Sequence, residues 1–188
     1  MNAPGITLPV PLLQVRRPQS IHFSIYALLF AEVISYFQNR VRSITELEER
    51  LLDLGQEIGR RVLELVWLRE KFSRREIELL GALRFTTTSV WRFLFGKVAD
   101  SLERVKDKEN EYIIVENSPL FTRYISVPLD LADLNCNAIV GGIIRGVLCA
   151  SGFPCHVDAH NAPHDDETEY PPRTLFSIRF LPESNHNL

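Results

Sequence analysis

The chain of 188 residues carries a formal net charge of -3, with 45% hydrophobic and 24% charged residues, a balance ordinary for one globular domain with a buried core. Nucleic-acid binders usually present a strongly basic face, which this charge balance does not supply. A membrane-spanning helix needs about 20 apolar residues with few charges; residues 21–37 are too short a run and contain Glu32, and Arg145 interrupts the other apolar stretch.

Residues 1–18 hold Pro4, Pro9, Pro11 and Pro18, a density that predicts an extended arm. From Ser20 the pattern turns helical. Phe23, Tyr26, Ala27, Phe30, Val33, Ile34, Phe37 and Val41 gather on one side, which is expected to close the core. The other side is apolar as well, with Ile25, Leu28, Leu29 and Tyr36 around the single acid Glu32. A helix apolar nearly all round is covered on both sides, either as a central core helix or by a partner. The next segment opens with Ser43 followed by Glu46, a capping-box pair, and keeps Ile44, Leu47, Leu51, Leu54, Ile58, Val62 and Leu65 at helical spacing. Its opposite stripe, Glu48, Glu49, Asp53, Glu57, Arg60 and Glu64, reads as a solvated surface. A third helix is predicted over residues 73–94 and a shorter one over 98–105.

Beyond the charged run KDKENE, YIIVEN reads as a strand and TRYISV as a second, weaker one. The stretch LNCNAIVGGIIRGVLCASGFPCHV offers Asn135 as a helix N-cap and Gly152 as its stop. FPCHVDAHNA then alternates Phe153, Cys155, Val157 and Ala159 against His156, Asp158 and His160, the mark of a half-buried strand, and TLFSIRFL predicts another. Between them runs the polar loop PHDDETEYPP. The fold class predicted is α+β: an N-terminal helical layer, then a small antiparallel sheet with one further helix.

Chemistry is harder to find. Cys155, His156, Asp158, His160 and His164 carry donors suited to zinc or iron, but the alternation accounts for them as the wet face of a strand, with Cys155 on the opposite side and His164 beyond Pro163. The three cysteines, Cys136, Cys149 and Cys155, match neither paired zinc knuckles nor a C-x-x-C redox motif and read as small packing residues. Their odd number, with no secretory pattern at the start, predicts reduced thiols in the cytosol. The chain has no G-x-S-x-G, G-x-x-x-x-G-K or G-x-G-x-x-G, so no catalytic, cofactor-binding or metal residues are assigned.

Glycine recurs at four-residue spacing instead, Gly55 with Gly59 and Gly142 with Gly146, the latter extended backward by Ala138. Each interior glycine costs a helix up to about 1 kcal/mol relative to alanine. Residues four apart share a face, so each set opens a groove where another backbone can approach closely.

LGQEIGRR at residues 54–61 resembles the G-x-x-x-G-x-R signature of the small subunits of the TRAPP (transport protein particle) vesicle-tethering complex. ISVP at 125–128, NCNAIVGGIIRGVL and SGFPCHV follow in the family's order, and VWRFLFGKVADSLERV and ELEERLLDLG are particularly like one member. The likeness covers residues 20–182. It implies the same α+β fold and a non-catalytic structural role. In the family such subunits pair side by side in a rod whose core is a guanine-nucleotide exchange factor for a Rab GTPase in ER-to-Golgi traffic. The resemblance further implies partners in a paralogous small subunit and a longin-like subunit, an indirect link to a Rab GTPase, and peripheral association with ER and cis-Golgi membranes through the complex. The acylated family member has a cysteine just before an Arg-Glu pair. If Arg75-Glu76 is that pair, Lys71 stands in the cysteine's place, so no acyl attachment is implied here.

The expectation is a single domain over 19–182 with short tails at 1–18 and 183–188. Ile25, Leu28, Leu29, Glu32 and Tyr36 are the candidate partner face, and Gly55, Gly59, Ala138, Gly142 and Gly146 the close-packing set. The rival reading is a small α+β domain holding a lipid or other apolar ligand in an internal pocket beside the glycine-lined helices.

Overall fold

A computed structural model describes residues 23–70, 76–120, 133–163 and 173–181, together with Ile125 and Leu131. Two helices lead, α1 (Phe23–Gln38) and α2 (Ile44–Glu70). Helix α2 starts where the capping box predicts: the Glu46 N–H donates to Ser43 Oγ at 3.1 Å, and the Arg42 N–H donates to Glu46 Oε2 at 2.9 Å. A second helical run is built of α3 (Leu79–Phe85), a π-helical turn (Thr86–Val90) and α4 (Trp91–Phe95). It begins at Leu79, later than the predicted residue 73. It ends at Gly96, whose φ of 74° lies in the left-handed region and stops the helix. The π turn coincides with three consecutive threonines. The hydroxyls of Thr86, Thr87 and Thr88 donate to the carbonyls of Ala82, Leu83 and Arg84 at 3.0 Å or less, and such bonds compete with the main-chain ladder.

The helix predicted over 98–105 is a strand, β1 (Ser101–Arg104), paired antiparallel with β2 (Glu111–Glu116). Val98, Leu102 and Val105 have helical spacing, but four residues beyond the Gly96 stop leave room only for an edge strand, and KDKENE supplies the hairpin turn. The sheet is completed by β3 (Cys155–Ala162) and β4 (Arg173–Phe180), in the order β1-β2-β4-β3 and antiparallel throughout. The TRYISV strand and the residue 163–172 loop fall almost wholly outside the described residues.

Helix α5 (Ala138–Ala150) crosses from β2 to β3 and occupies the centre of the molecule. Val140, Ile144 and Leu148 are buried with the sheet residues Ile114, Phe176, Ile178 and Val157. Its N-cap is Asn137, two residues after the predicted one: Asn135 Oδ1 accepts from the Asn137 N–H at 3.0 Å, and Asn137 itself is buried with its amide donating to Thr174 Oγ1 at 2.8 Å. Its end is a Schellman turn, with Gly152 at φ 92°, the Gly152 N–H on the Cys149 carbonyl at 3.0 Å and the Phe153 N–H on the Leu148 carbonyl at 2.9 Å. Of the two helices apolar on all sides, α5 is therefore the central one and α1 lies at the periphery.

Candidate functional site

Helix α1 presents two unlike faces. Phe30 is buried, and Tyr26, Val33, Ile34 and Phe37 pack partly buried against the core. On the other face Leu28 is 72% exposed, Leu29 64%, Ile25 59% and Tyr36 54%, with Glu32 exposed among them. Four large apolar side chains within twelve residues of one helix form the kind of patch that monomeric surfaces rarely leave open. Arg40, which the sequence reading passed over, borders the patch. Its guanidinium lies 3.7 Å from the Tyr36 ring centroid and donates to the Tyr36 carbonyl at 2.8 Å, fixing the ring and placing a cation at the C-terminal edge. Its signal was the four-residue spacing from Tyr36 at a helix C-terminus.

Beneath α1 lies a cavity of about 270 Å³ lined by Ala27, Phe30, Ile34, Leu131, Leu134 and Cys136 among others. The inner face of α1 thus meets the core incompletely. Burial, followed by the Glu48 carboxylate, pushes the Cys136 thiol up to about 11. Glu48 was expected in the solvated stripe of α2. It is instead half-buried, accepting from the Asn135 N–H at 2.6 Å, because Asn135 brings an unsatisfied donor to that point of α2.

The glycine pairs lie where α2 and α5 cross. A Cβ built on Gly55 would overlap the Ile139 carbonyl oxygen and reach 2.9 Å from the Cα of Gly142. One on Gly59 would overlap the Ile143 carbonyl and reach 3.1 Å from the Cα of Gly146; one on Gly146 would overlap the Gln56 carbonyl. Ala138 is buried in the first turn of α5. The backbones touch along this line, so there is no room for a ligand between the glycine-lined faces.

His156, Asp158 and His160 are exposed on the outer face of the sheet, with Cys155 buried on the inner one, and His164 lies outside the described residues. Among the described residues no group of three His, Cys, Asp or Glu side chains is placed to hold a metal ion. Also among them, no helix is long and apolar enough to cross a membrane.

A buried polar pair that the sequence did not reveal sits under α4. Trp91 Nε1 donates to Glu116 Oε2 at 2.9 Å, and the other Glu116 oxygen is paired with Lys97, which also meets Asp100 at 3.4 Å. Burial pulls the Lys97 ammonium down, but the hydrogen bonds and charges of Glu116 and Asp100 outweigh it and hold the pKa above its ordinary value.

The described residues thus form an α+β chain in which one face of α1 is left uncovered. The family model described as "Transport protein particle (TRAPP) component" matches residues 26–181. The chain is 46% identical over 178 residues to trafficking protein particle complex subunit 5 of Dictyostelium discoideum, covering 92% of this chain and 95% of that one. It is also 46% identical over 145 residues to subunit 5 of Homo sapiens, covering 77% of each. The structure of a trafficking protein particle complex subunit 3 from Naegleria fowleri, covalently bound to palmitic acid, superposes with a TM-score of 0.68 at 14% identity, over 84% of this chain and 94% of that one. The chain belongs to the TRAPP component family.

Proposed function

We propose that the chain is a non-catalytic structural subunit of a TRAPP vesicle-tethering complex and helps assemble the core that acts as a guanine-nucleotide exchange factor for a Rab GTPase in ER-to-Golgi traffic. The reading is supported by family membership and carried by one observation, the exposed apolar face of α1. In this reading Ile25, Leu28, Leu29, Glu32 and Tyr36 dock a paralogous small subunit, and a longin-like subunit binds elsewhere. The protein works in the cytoplasm, peripheral to ER and cis-Golgi membranes through its complex. It folds as a single domain over residues 19–182, with tails at 1–18 and 183–188 that lie outside the described residues. Palmitic acid is covalently bound in the Naegleria subunit 3 structure; here, if Arg75-Glu76 is the family's Arg-Glu pair, Lys71, outside the described residues, stands in the place of the acylated cysteine and no acyl attachment is implied. The alternative of an apolar ligand beside the glycine-lined helices is not favoured, because backbone contact closes that groove.

The test is a double substitution, Leu28→Glu with Leu29→Glu. With Glu32 retained it places three acids on one patch, so like-charge repulsion adds to the cost of burying charge. The expected result is a chain that keeps its helical circular dichroism and no longer co-purifies with other TRAPP subunits. A folded double mutant that co-purifies normally would move the docking surface off α1.

A further inference from the structure

Two of the three cysteines, unremarkable in sequence, are brought together by the turn that ends α5. Cys149 lies in the last helical turn and Cys155 is the first residue of β3. The Schellman bonds from Gly152 and Phe153 fold the chain back so that the strand begins beneath the helix end. The Cys149 Sγ lies 4.0 Å from the Cys155 carbonyl oxygen, which sets the two cysteines side by side. Arg145, one turn earlier on the same helix, holds its positive charge against the Cys149 sulfur. Cys155 is 2% exposed, whereas Cys149 is only half-buried and open to a small reagent.

We propose that Cys149 and Cys155 are a reactive thiol pair that hydrogen peroxide, or another small hydroperoxide, oxidises to an intramolecular disulfide joining α5 to β3. Cys149 is the attacking sulfur. The hydrogen bond from Cys155, offset by some burial and aided by Arg145, lowers its pKa to about 6, so it is largely thiolate near neutrality. The Cys155 thiol is driven the opposite way, first by its hydrogen bond to Cys149 and then by burial, and stays protonated until called upon as the resolving group. In the first step the Cys149 thiolate attacks one peroxide oxygen, the O–O bond breaks, hydroxide leaves and a sulfenic acid forms. In the second the Cys155 sulfur attacks the Cys149 sulfur, the S–O bond breaks, and the departing hydroxide takes the thiol proton as water. Two thiols are oxidised to one disulfide, and one peroxide is reduced to two waters. Cys136 is the internal contrast. It is buried, its pKa is raised by burial and by Glu48, and its sulfur has no part in the pair, so it is expected to stay reduced.

The experiment treats the full-length chain, freed of reductant, with hydrogen peroxide, then maps its cysteine peptides under non-reducing acid conditions. The expected result is a cross-link between positions 149 and 155 with Cys136 unmodified. In Cys155→Ser the Cys149 sulfenic acid should accumulate and be trapped by dimedone, and in Cys149→Ser Cys155 should remain a thiol. The wild-type map carries the test if either variant folds poorly. Cys149 left reduced in the wild type, Cys136 oxidised at the same rate, or disulfides only between chains would each overturn the proposal.

Discussion

Gly141 and Gly142 stand side by side in α5 and face different neighbours. A Cβ on Gly141 would find Val157 Cγ1 at 3.6 Å and Ala159 Cβ at 3.8 Å, ordinary contact with the sheet, whereas one on Gly142 would overlap the Leu52 carbonyl oxygen and come within 2.9 Å of the Cα of Gly55. Alanine is the better helix former at both positions by up to about 1 kcal/mol. At Gly142 the obstacle is backbone, which cannot turn aside as a side chain would, and overpacking typically costs about 1–3 kcal/mol. Gly141→Ala is therefore expected to hold or raise the melting temperature and Gly142→Ala to lower it, in parallel thermal melts. The buried Glu116 is a second residue-scale case. Glu116→Ala leaves the Trp91 indole N–H without its acceptor, and an unsatisfied buried donor costs about 1–3 kcal/mol. A drop of that size in denaturant unfolding is expected. Because the Lys97 pKa is raised above 10.5 in the folded state, the stability from its pairing is fully present below that value and is lost as pH rises through the folded pKa.

At the scale of elements, local signals placed the starts and stops well where they involve a few adjacent residues. Ser43 with Glu46 marks the start of α2, and Gly152 marks the end of α5, since both motifs are satisfied by hydrogen bonds within one turn. Gly152→Ala forces a side chain into the left-handed region, at a cost of roughly 1–2 kcal/mol. Its melting temperature should fall, while Gly81→Ala is no matched control because Glu76 crowds that site. The edge strand β1 was misread because four residues carry too few apolar positions to separate a period of two from one of 3.6; its pairing with β2 decides the matter. The π turn at Thr86–Val90 was equally hidden, as it depends on how three hydroxyls share carbonyls with the main chain.

At the scale of the whole molecule, α5 is sandwiched between α2 and the sheet, while α1 lies at the edge with a cavity of about 270 Å³ along its inner face. A subunit with such a face uncovered is expected to associate with itself when purified alone. Light scattering on a concentration series should show apparent mass rising with concentration, and the Leu28→Glu, Leu29→Glu chain should stay monomeric. A wild-type chain that remains monomeric at high concentration would count against α1 as an adhesive surface.

The sequence by itself determined the α+β class, the two long helices, three of the four strands among the described residues and the family, because these rest on periodicity, capping pairs and motif order, all written along the chain. It also showed that α1 and α5 are each apolar nearly all round. Which of them is central, and which keeps an open side, only the tertiary structure decided. Covering a face depends on what packs there, and α5 owes its place to Gly55 and Gly59 of α2 meeting its own Gly142 and Gly146, each 87 residues further along the chain. The Cys149–Cys155 pair, the Trp91–Glu116–Lys97 group and the anchoring of Asn135 by Glu48 were decided in the same way, since each joins residues that no spacing rule connects until the turn at Gly152, the β2–β4 pairing and the α2–α5 crossing bring them within reach.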